Sequence, residues 1–323
     1  MGDPGSGSPR GAGPGLRPRH VDVPGLGAGE ALSAIDLHAH TRRSDGLLEP
    51  AALVAAAHAA GVRLFAITDH DTLAGYREVV RSGAVPPGMD LLAGVEINAI
   101  VGGRGRMWES ELHVLGLGID PDSDELESVL ATQRTSRRVR FEGMLARLRD
   151  LDLSVDDVIE TDGLIHPDDI DSLGRPTIAR ALMAKGHASS VEDAFSRLLS
   201  RGKPAHIARD GLDPVEAITV IRRAGGLASL AHFAEAPERL DSVRELITAG
   251  LGGLEVYYRT FDRSTVARVA DVASGLGLVA TGGTDYHGDL GTYAEAHAGL
   301  FFPAAAEAPL RTALGLTGTA VRP

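Results

Sequence analysis

Strand-length apolar runs alternate with helical stretches through this chain, and one long interval breaks the alternation. Order begins near Leu32. SAIDLHAH, VRLFAITDH, DLLAGVEINAI and ESELHVLGLGI read as strands, and EPAALVAAAHAAG and DTLAGYREVVRSG as helices. Pro50 falls in the first turn of the alanine-rich helix and Gly61 at its end, where each residue suits a helix boundary. Strands alternating with helices imply βαβ units and a largely parallel sheet. Between about Asp120 and Leu212 the pattern is helical only: DELESVLATQRTSRRVRFEGMLARLRDL, then SVDDVIE, RPTIARALMAKG and SVEDAFSRLLSRG. Alternation resumes with DPVEAITVIRRAGG, LASLAHF, SVRELITAG, LGGLEVYY, STVARVADVASGLG and LVATGGTDYHG. The expectation is an α/β body of residues 32–119 and 213–323, with a helical subdomain, 120–212, inserted into it.

Composition removes several function classes. The formal charge of −12 argues against broad binding to membranes or to extended double-stranded DNA. With no cysteine, thiol nucleophiles, iron–sulfur clusters and Cys-ligated zinc are excluded, so any metal must rest on His, Asp and Glu. No apolar run approaches the roughly 18–20 residues of a membrane span. Residues 1–31 are rich in Gly, Pro and Arg. They carry no apolar signal core and too little apolar surface to offset the entropy of ordering, so a disordered tail and a cytoplasmic location are expected. Aromatics make up only 4% of the chain, so the core must be built from Ala, Val, Leu and Ile.

Ligand-type residues recur where the predicted strands end. In DLHAHTRRSDG, His38 and His40 lie one residue apart on a strand and project from one face, a spacing that can chelate one ion. TDHD supplies Asp69, His70 and Asp71; GVE supplies Glu96; ELHVLG, His113; LAHF, His232; and GTDYHG, Asp285 and His287. A lone histidine of this kind is more often a hydrogen-bonded structural residue. Six of the twelve histidines fit the pattern, each beside an acid or another histidine, and burying each separately would be costly. Jointly they predict a metal site at the strand ends, where parallel α/β barrels place their active sites.

The segments HAHTRRSDG, ITDHDT, GVEI, HVLG, AHF and TDYHG closely resemble the polymerase-and-histidinol-phosphatase (PHP) phosphoesterases, in particular the branch with a helical insertion. That resemblance implies a distorted (βα)7 TIM-like barrel and two or three divalent ions, Mn²⁺, Fe²⁺ or Zn²⁺. It implies a first ion on His38, His40, Glu96 and Asp285, and a second on Asp45, His70 and His287. A third would sit on Glu96, His113 and His232. Asp45, His70 and His287, with His206, would form the catalytic group; the proton donor to the leaving alcohol stays open between His206, Asp71 and an ion-held water. Asp69 or Asp71 would orient an imidazole.

Arg175 precedes Pro176 at a predicted helix start, a sound place to meet an anion, and the resembled branch has a similar Gly-Arg-Pro segment facing substrate phosphate. Lys203 and His206 in RGKPAHI would complete a phosphate pocket; Arg180 should point elsewhere. The run RTSRRVR reads most simply as a solvated face, with contact to a nucleic-acid strand as the lesser alternative. Trp108, Tyr257 and Tyr258 are the aromatics available to stack on a base, although packing suits Trp108 better. The implied activity is hydrolysis of a phosphate monoester of a small nucleotide, foremost a 3′,5′-nucleoside bisphosphate, with 5′-to-3′ exonuclease action on short RNA as an extension. The alternatives are a histidinol-phosphate phosphatase and, in another class, a regulatory module that binds metal or nucleotide without turnover.

Overall fold

The structure, a computed structural model, describes residues 33–100, 111–161, 173–288 and 291–316. The predicted tail and Trp108 lie outside the described residues. Seven strands form one sheet in sequence order: β1 (Ile35–Asp36), β2 (Leu64–Ile67), β3 (Asp90–Ile100), β4 (Glu111–Leu117), β5 (Leu227–Leu230), β6 (Gly253–Tyr258) and β7 (Val279–Gly283). The edges approach each other. The Leu37 N–H donates to the Gly282 carbonyl at 3.1 Å, the Asp285 N–H donates to the His38 carbonyl at 2.7 Å, and Ala39 bridges Tyr286 in parallel. The sheet is thus a nearly closed barrel.

Four of the six neighbouring strand pairs are parallel, as expected, but β4 runs antiparallel to both β3 and β5. The physical reason is the connection. Residues 101–110 alone separate β3 from β4, and a parallel return needs a crossover of about a dozen residues or more. This reversal also corrects the strand-end rule: His113 lies near the beginning of its strand, because in a reversed strand that is the end at the barrel mouth.

Helices α1 (Pro50–Ala59), α2 (Ala74–Ser82), α7 (Pro214–Arg223), α8 (Leu240–Ala249), α9 (Arg263–Gly275), α10 (Tyr293–His297) and α11 (Ala304–Ala313) accompany the sheet. As the sequence predicts, Pro50 is the first residue of α1, and Gly61 just beyond its end has φ +98°. A conformation of that sign suits glycine, which has no Cβ. Leu64, Leu92, Leu115 and Leu117 fill the barrel interior with Phe302 and Leu310 from the C-terminal segment. None of the described helices is long and apolar enough to cross a membrane.

Between β4 and β5 lie α3 (Asp124–Asp150), α4 (Asp156–Thr161), α5 (Arg175–Ala184) and α6 (Val191–Ala194), the last continued by a π-helical turn, Phe195–Leu199. These helices have an apolar cluster of their own, including Phe141, Met144, Leu148, Ile178, Leu182 and Leu199. The buried stripe of α3 recurs every three or four residues: Leu126, Leu130, Gln133, Arg137, Phe141, Met144 and Leu148, the spacing of one helix face. Its first two members join the cluster behind β3 and its last three the helical cluster. The two polar members between them cross the barrel mouth.

A Cβ on Gly283 would collide with the backbone of His38, so only glycine lets β7 close on the segment after β1. Replacing Gly283 with Ala should cost about 1–3 kcal/mol, the usual range for overpacking, read as a lower midpoint in urea unfolding.

Candidate metal centre and anion cleft

Strand period two sets one half of the site. Asn98 pairs with His113 and Ile100 with Glu111 across the β3–β4 ladder, so Glu96 and Asn98 share a face with Glu111 and His113. Elsewhere the chain bends sharply to bring side chains over the mouth. Asp71, His232 and Asp285 have φ values of +52°, +34° and +49°, a region sparsely used by residues with a Cβ and commonest at functional sites.

Three groups of donors result: His38, His40, Glu96 and Asp285; His40, Asp45, His70 and His287; and Glu96, His113 and His232. All nine ligand-type residues expected from the sequence are brought together, and His40 adds itself to the second group. The Glu96 carboxylate is the shared member. Its Oε2 lies 3.4 Å from His38 Nε2, 3.1 Å from His40 Nε2 and 3.0 Å from His70 Nδ1. Its Oε1 lies 2.6 Å from His113 Nδ1 and 3.3 Å from His232 Nε2. Asp285 Oδ1 is 3.2 Å from both His38 Nε2 and His40 Nε2, and Asp45 Oδ1 is 3.2 Å from His287 Nε2.

These donors fit cations. Atoms held about 2.1 Å from one ion lie roughly 3–3.4 Å from each other. His38 Nε2, His40 Nε2, Asp45 Oδ1, His70 Nδ1 and Glu96 Oε2 are buried and have no hydrogen-bond partner among the described residues. Leaving such groups unmatched is expensive, and metal coordination is one of the few remedies. The mutual fields are strong. Burial favours a neutral Glu96, yet His70, His113 and His38 hold its carboxyl well below the usual range. Burial drives His70 down to about 3, while Asp45 and Asp285, against burial, lift His287 to about 10.

Glu255 on β6, fully buried, was not singled out by the sequence. Its Oε1 is 3.0 Å from His38 Nδ1, and its Oε2 accepts the His232 N–H at 2.6 Å. It orients one imidazole and fixes the backbone beneath another, the role that ligand-supporting carboxylates commonly play. Its signal was an acid inside the apolar run GLEVYY. The expectation for Asp69 and Asp71 needs correcting, because among the described residues neither bonds an imidazole. Asp69 accepts the Thr41 N–H at 2.7 Å, the Thr41 hydroxyl at 2.7 Å and the Ser44 hydroxyl at 2.6 Å, pinning the loop that carries Asp45. Asp71 accepts Arg137 Nε at 2.6 Å and Arg209 Nη2 at 2.7 Å. Tyr258 donates to Asp285 Oδ2 at 2.9 Å, and Tyr257 packs on Phe302.

A cleft opens beside the donors, lined by Asp45, His70 and His113 on one side and by Arg137, Arg140, Arg175 and Arg209 on the other. RTSRRVR is therefore a solvated face only in part: Thr135, Arg138 and Val139 are exposed, while Arg137 and Arg140 line the cleft. Arg137, buried on the α3 stripe, also donates to Asn98 Oδ1 at 2.6 Å, and Arg140 lies 3.3 Å from Glu111. Arg175 stands at the first position of α5, 3.1 Å from Glu111 and over the Phe195 ring. Arg180 reaches the same mouth rather than pointing away, donating to the Asp45 carbonyl at 3.3 Å. Arg209 Nε is buried without a hydrogen-bond acceptor among the described residues, while Arg140 Nη2 forms an ion pair with Glu111 Oε1 that lacks hydrogen-bond geometry. Burial, with Arg175, Arg209 and Arg137 nearby, pulls Arg140 down to about 10 despite Glu111. Lys203 is exposed, and neither it nor His206 is among the residues lining the cleft. His206 stays at the rim, where burial and then the field of Arg140 and Arg175 lower its pKa.

The PHP domain model matches residues 36–271. The chain belongs to the PHP domain family. Asp285 and His287 lie beyond the matched range, yet the fold returns them to the same centre. The chain is 31% identical over 268 residues to a 3′,5′-nucleoside bisphosphate phosphatase of Chromobacterium violaceum, covering 79% of this PHP protein and 88% of that one. It is 34% identical over 203 residues to a 5′-3′ exoribonuclease of Haemophilus influenzae, covering 61% and 68%. Among solved structures, a Bifidobacterium adolescentis protein proposed to be a metal-dependent phosphoesterase superposes with a TM-score of 0.72 at 28% identity, covering 88% and 96% of the chains.

Asp71→Asn should leave two buried guanidinium groups short of a counter-charge. The expected loss is about 3 kcal/mol or more in urea unfolding, the cost of breaking a buried ion pair from one side.

Proposed function

We propose that this PHP protein is a metal-dependent phosphoesterase whose substrate is a small nucleotide with two phosphates, foremost a 3′,5′-nucleoside bisphosphate. One observation carries the reading: a centre of clustered imidazoles and carboxylates shares a wall, through Asp45, His70 and His113, with an arginine-lined cleft. A phosphate ester resists hydrolysis because its anionic oxygens repel a nucleophile. Divalent ions at such a centre neutralise that charge and acidify a water.

His38, His40, Glu96 and Asp285 would hold one ion, and Asp45, His70 and His287, with His40, a second. Glu96, His113 and His232 would hold a third. The mixture of oxygen and imidazole donors without sulfur suits Mn²⁺, Fe²⁺ or Zn²⁺. Glu255 and Tyr258 keep His38 and Asp285 in place, and Asp69 keeps the Asp45 loop. Outside the centre, four guanidinium groups face the Asp71 and Glu111 carboxylates in the cleft region, an excess of two positive charges. That excess, and the unmatched Arg209 Nε, suit a dianionic non-scissile phosphate. The N-terminus of α5 adds a favourable dipole. The names of the relatives support a nucleotide or short RNA as the ester. His206, at the rim, is a candidate to serve the leaving group.

Two measurements test the reading. Arg175→Ala should lower kcat/KM for adenosine 3′,5′-bisphosphate roughly 10- to 100-fold, the worth of a charge-assisted hydrogen bond, while sparing an aryl phosphate; equal losses on both would contradict the role. Glu96→Gln should reduce the metal found per chain by elemental analysis, and full metal content would contradict a shared ligand.

A further inference from the structure

Glu111 is the carboxylate that the proposed chemistry leaves without a task. It begins β4, two residues before His113 and on the same face. Its Oε2 lies 3.1 Å from Arg175 Nη2 and its Oε1 3.3 Å from Arg140 Nη2. Each oxygen thus meets a different guanidinium group, one from α5 and one from α3. Two anionic oxygens bridging two guanidinium groups is also how a phosphate would sit there. Glu111 is only 23% exposed, and Arg140 and Arg175 are 11% and 26% exposed, so their attraction is little screened by solvent.

An acid is an odd choice for a cleft meant to bind anions, unless the acid is displaced. We infer that Glu111 is a built-in counter-anion: it occupies the Arg140–Arg175 pair in the empty cleft and yields it to the substrate's non-scissile phosphate. The inference rests on the proposed phosphate role of the cleft. Two consequences follow from charge alone. The empty arginines stay paired and oriented, so the cleft does not collapse or hold stray anions tightly. A phosphate must out-compete a carboxylate to enter, which favours dianions over monoanions and speeds release of a product that keeps its second phosphate. Glu111 is in this sense a specificity-determining residue, and it touches no reacting atom.

The metal-loaded Glu111→Gln protein should bind adenosine 5′-monophosphate roughly tenfold tighter by calorimetry, the effect of one removed charge in a partly buried site. With adenosine 3′,5′-bisphosphate, KM and kcat should fall together as release slows, and Glu111→Asp should stay near the natural protein. Unchanged affinity would overturn the inference; weaker affinity would also overturn it and make Glu111 an acceptor for a sugar hydroxyl. Sulfate-dependent melting guards against a folding defect. E111Q should gain more Tm from sulfate than the natural protein, and an equal or smaller gain overturns the inference. If the natural protein leaves the bisphosphate intact while E111Q still binds the monophosphate and sulfate more tightly, the proposed substrate fails and the counter-anion stands.

Discussion

Glu96 is 1% exposed and has five imidazoles within 3.4 Å of its two oxygens. A carboxylate buried so deeply survives only if positive charge or donors surround it. The surrounding groups come from the segment after β1, the end of β2, β4 and the end of β5, so satisfying one carboxylate fixes how those segments meet. The barrel must nearly close for His38 and Asp285 to reach the same point, and Gly283 must be bare for it to close.

The reversed strand β4 links this centre to the rest of the molecule. Running antiparallel, it presents His113 to the metal donors and Glu111 to the arginines on one face. The long helix α3 then crosses the same mouth. Its apolar ends are anchored in two separate clusters, which holds the polar Arg137 in between against Asp71, the residue following His70. The clustered imidazoles and carboxylates and the arginines of the cleft are therefore coupled by a buried ion pair.

Much of the centre could be read from the chain because metal ligation uses few residue types, and these are conspicuous inside apolar strands. His38, His40, His70, Glu96, His113, His232, Asp285 and His287 stand out for that reason, and Asp45 followed from a resemblance. Glu255 is equally central yet does not stand out, since one acid in an apolar strand has many possible partners. Arg137 and Arg140 do not stand out from exposed Arg138 in RTSRRVR, because a charge run at helical spacing has the same pattern whether the helix faces water or a cleft. Lys203 sits between a Gly and a Pro, and that turn leaves it exposed and off the cleft wall, a placement that the turn's own geometry sets.

By itself the sequence determined the alternation of strands and helices, the helical interval, and a set of nitrogen and oxygen donors without sulfur. Those are local properties: period, punctuation and side-chain chemistry. Only the tertiary structure decided that β4 reverses, that α3 lies across the mouth, and which carboxylate faces which cation. Those outcomes depend on contacts between residues as far apart as Asp71 and Arg209 or His38 and Glu255, and such distances in the chain carry no periodic signal.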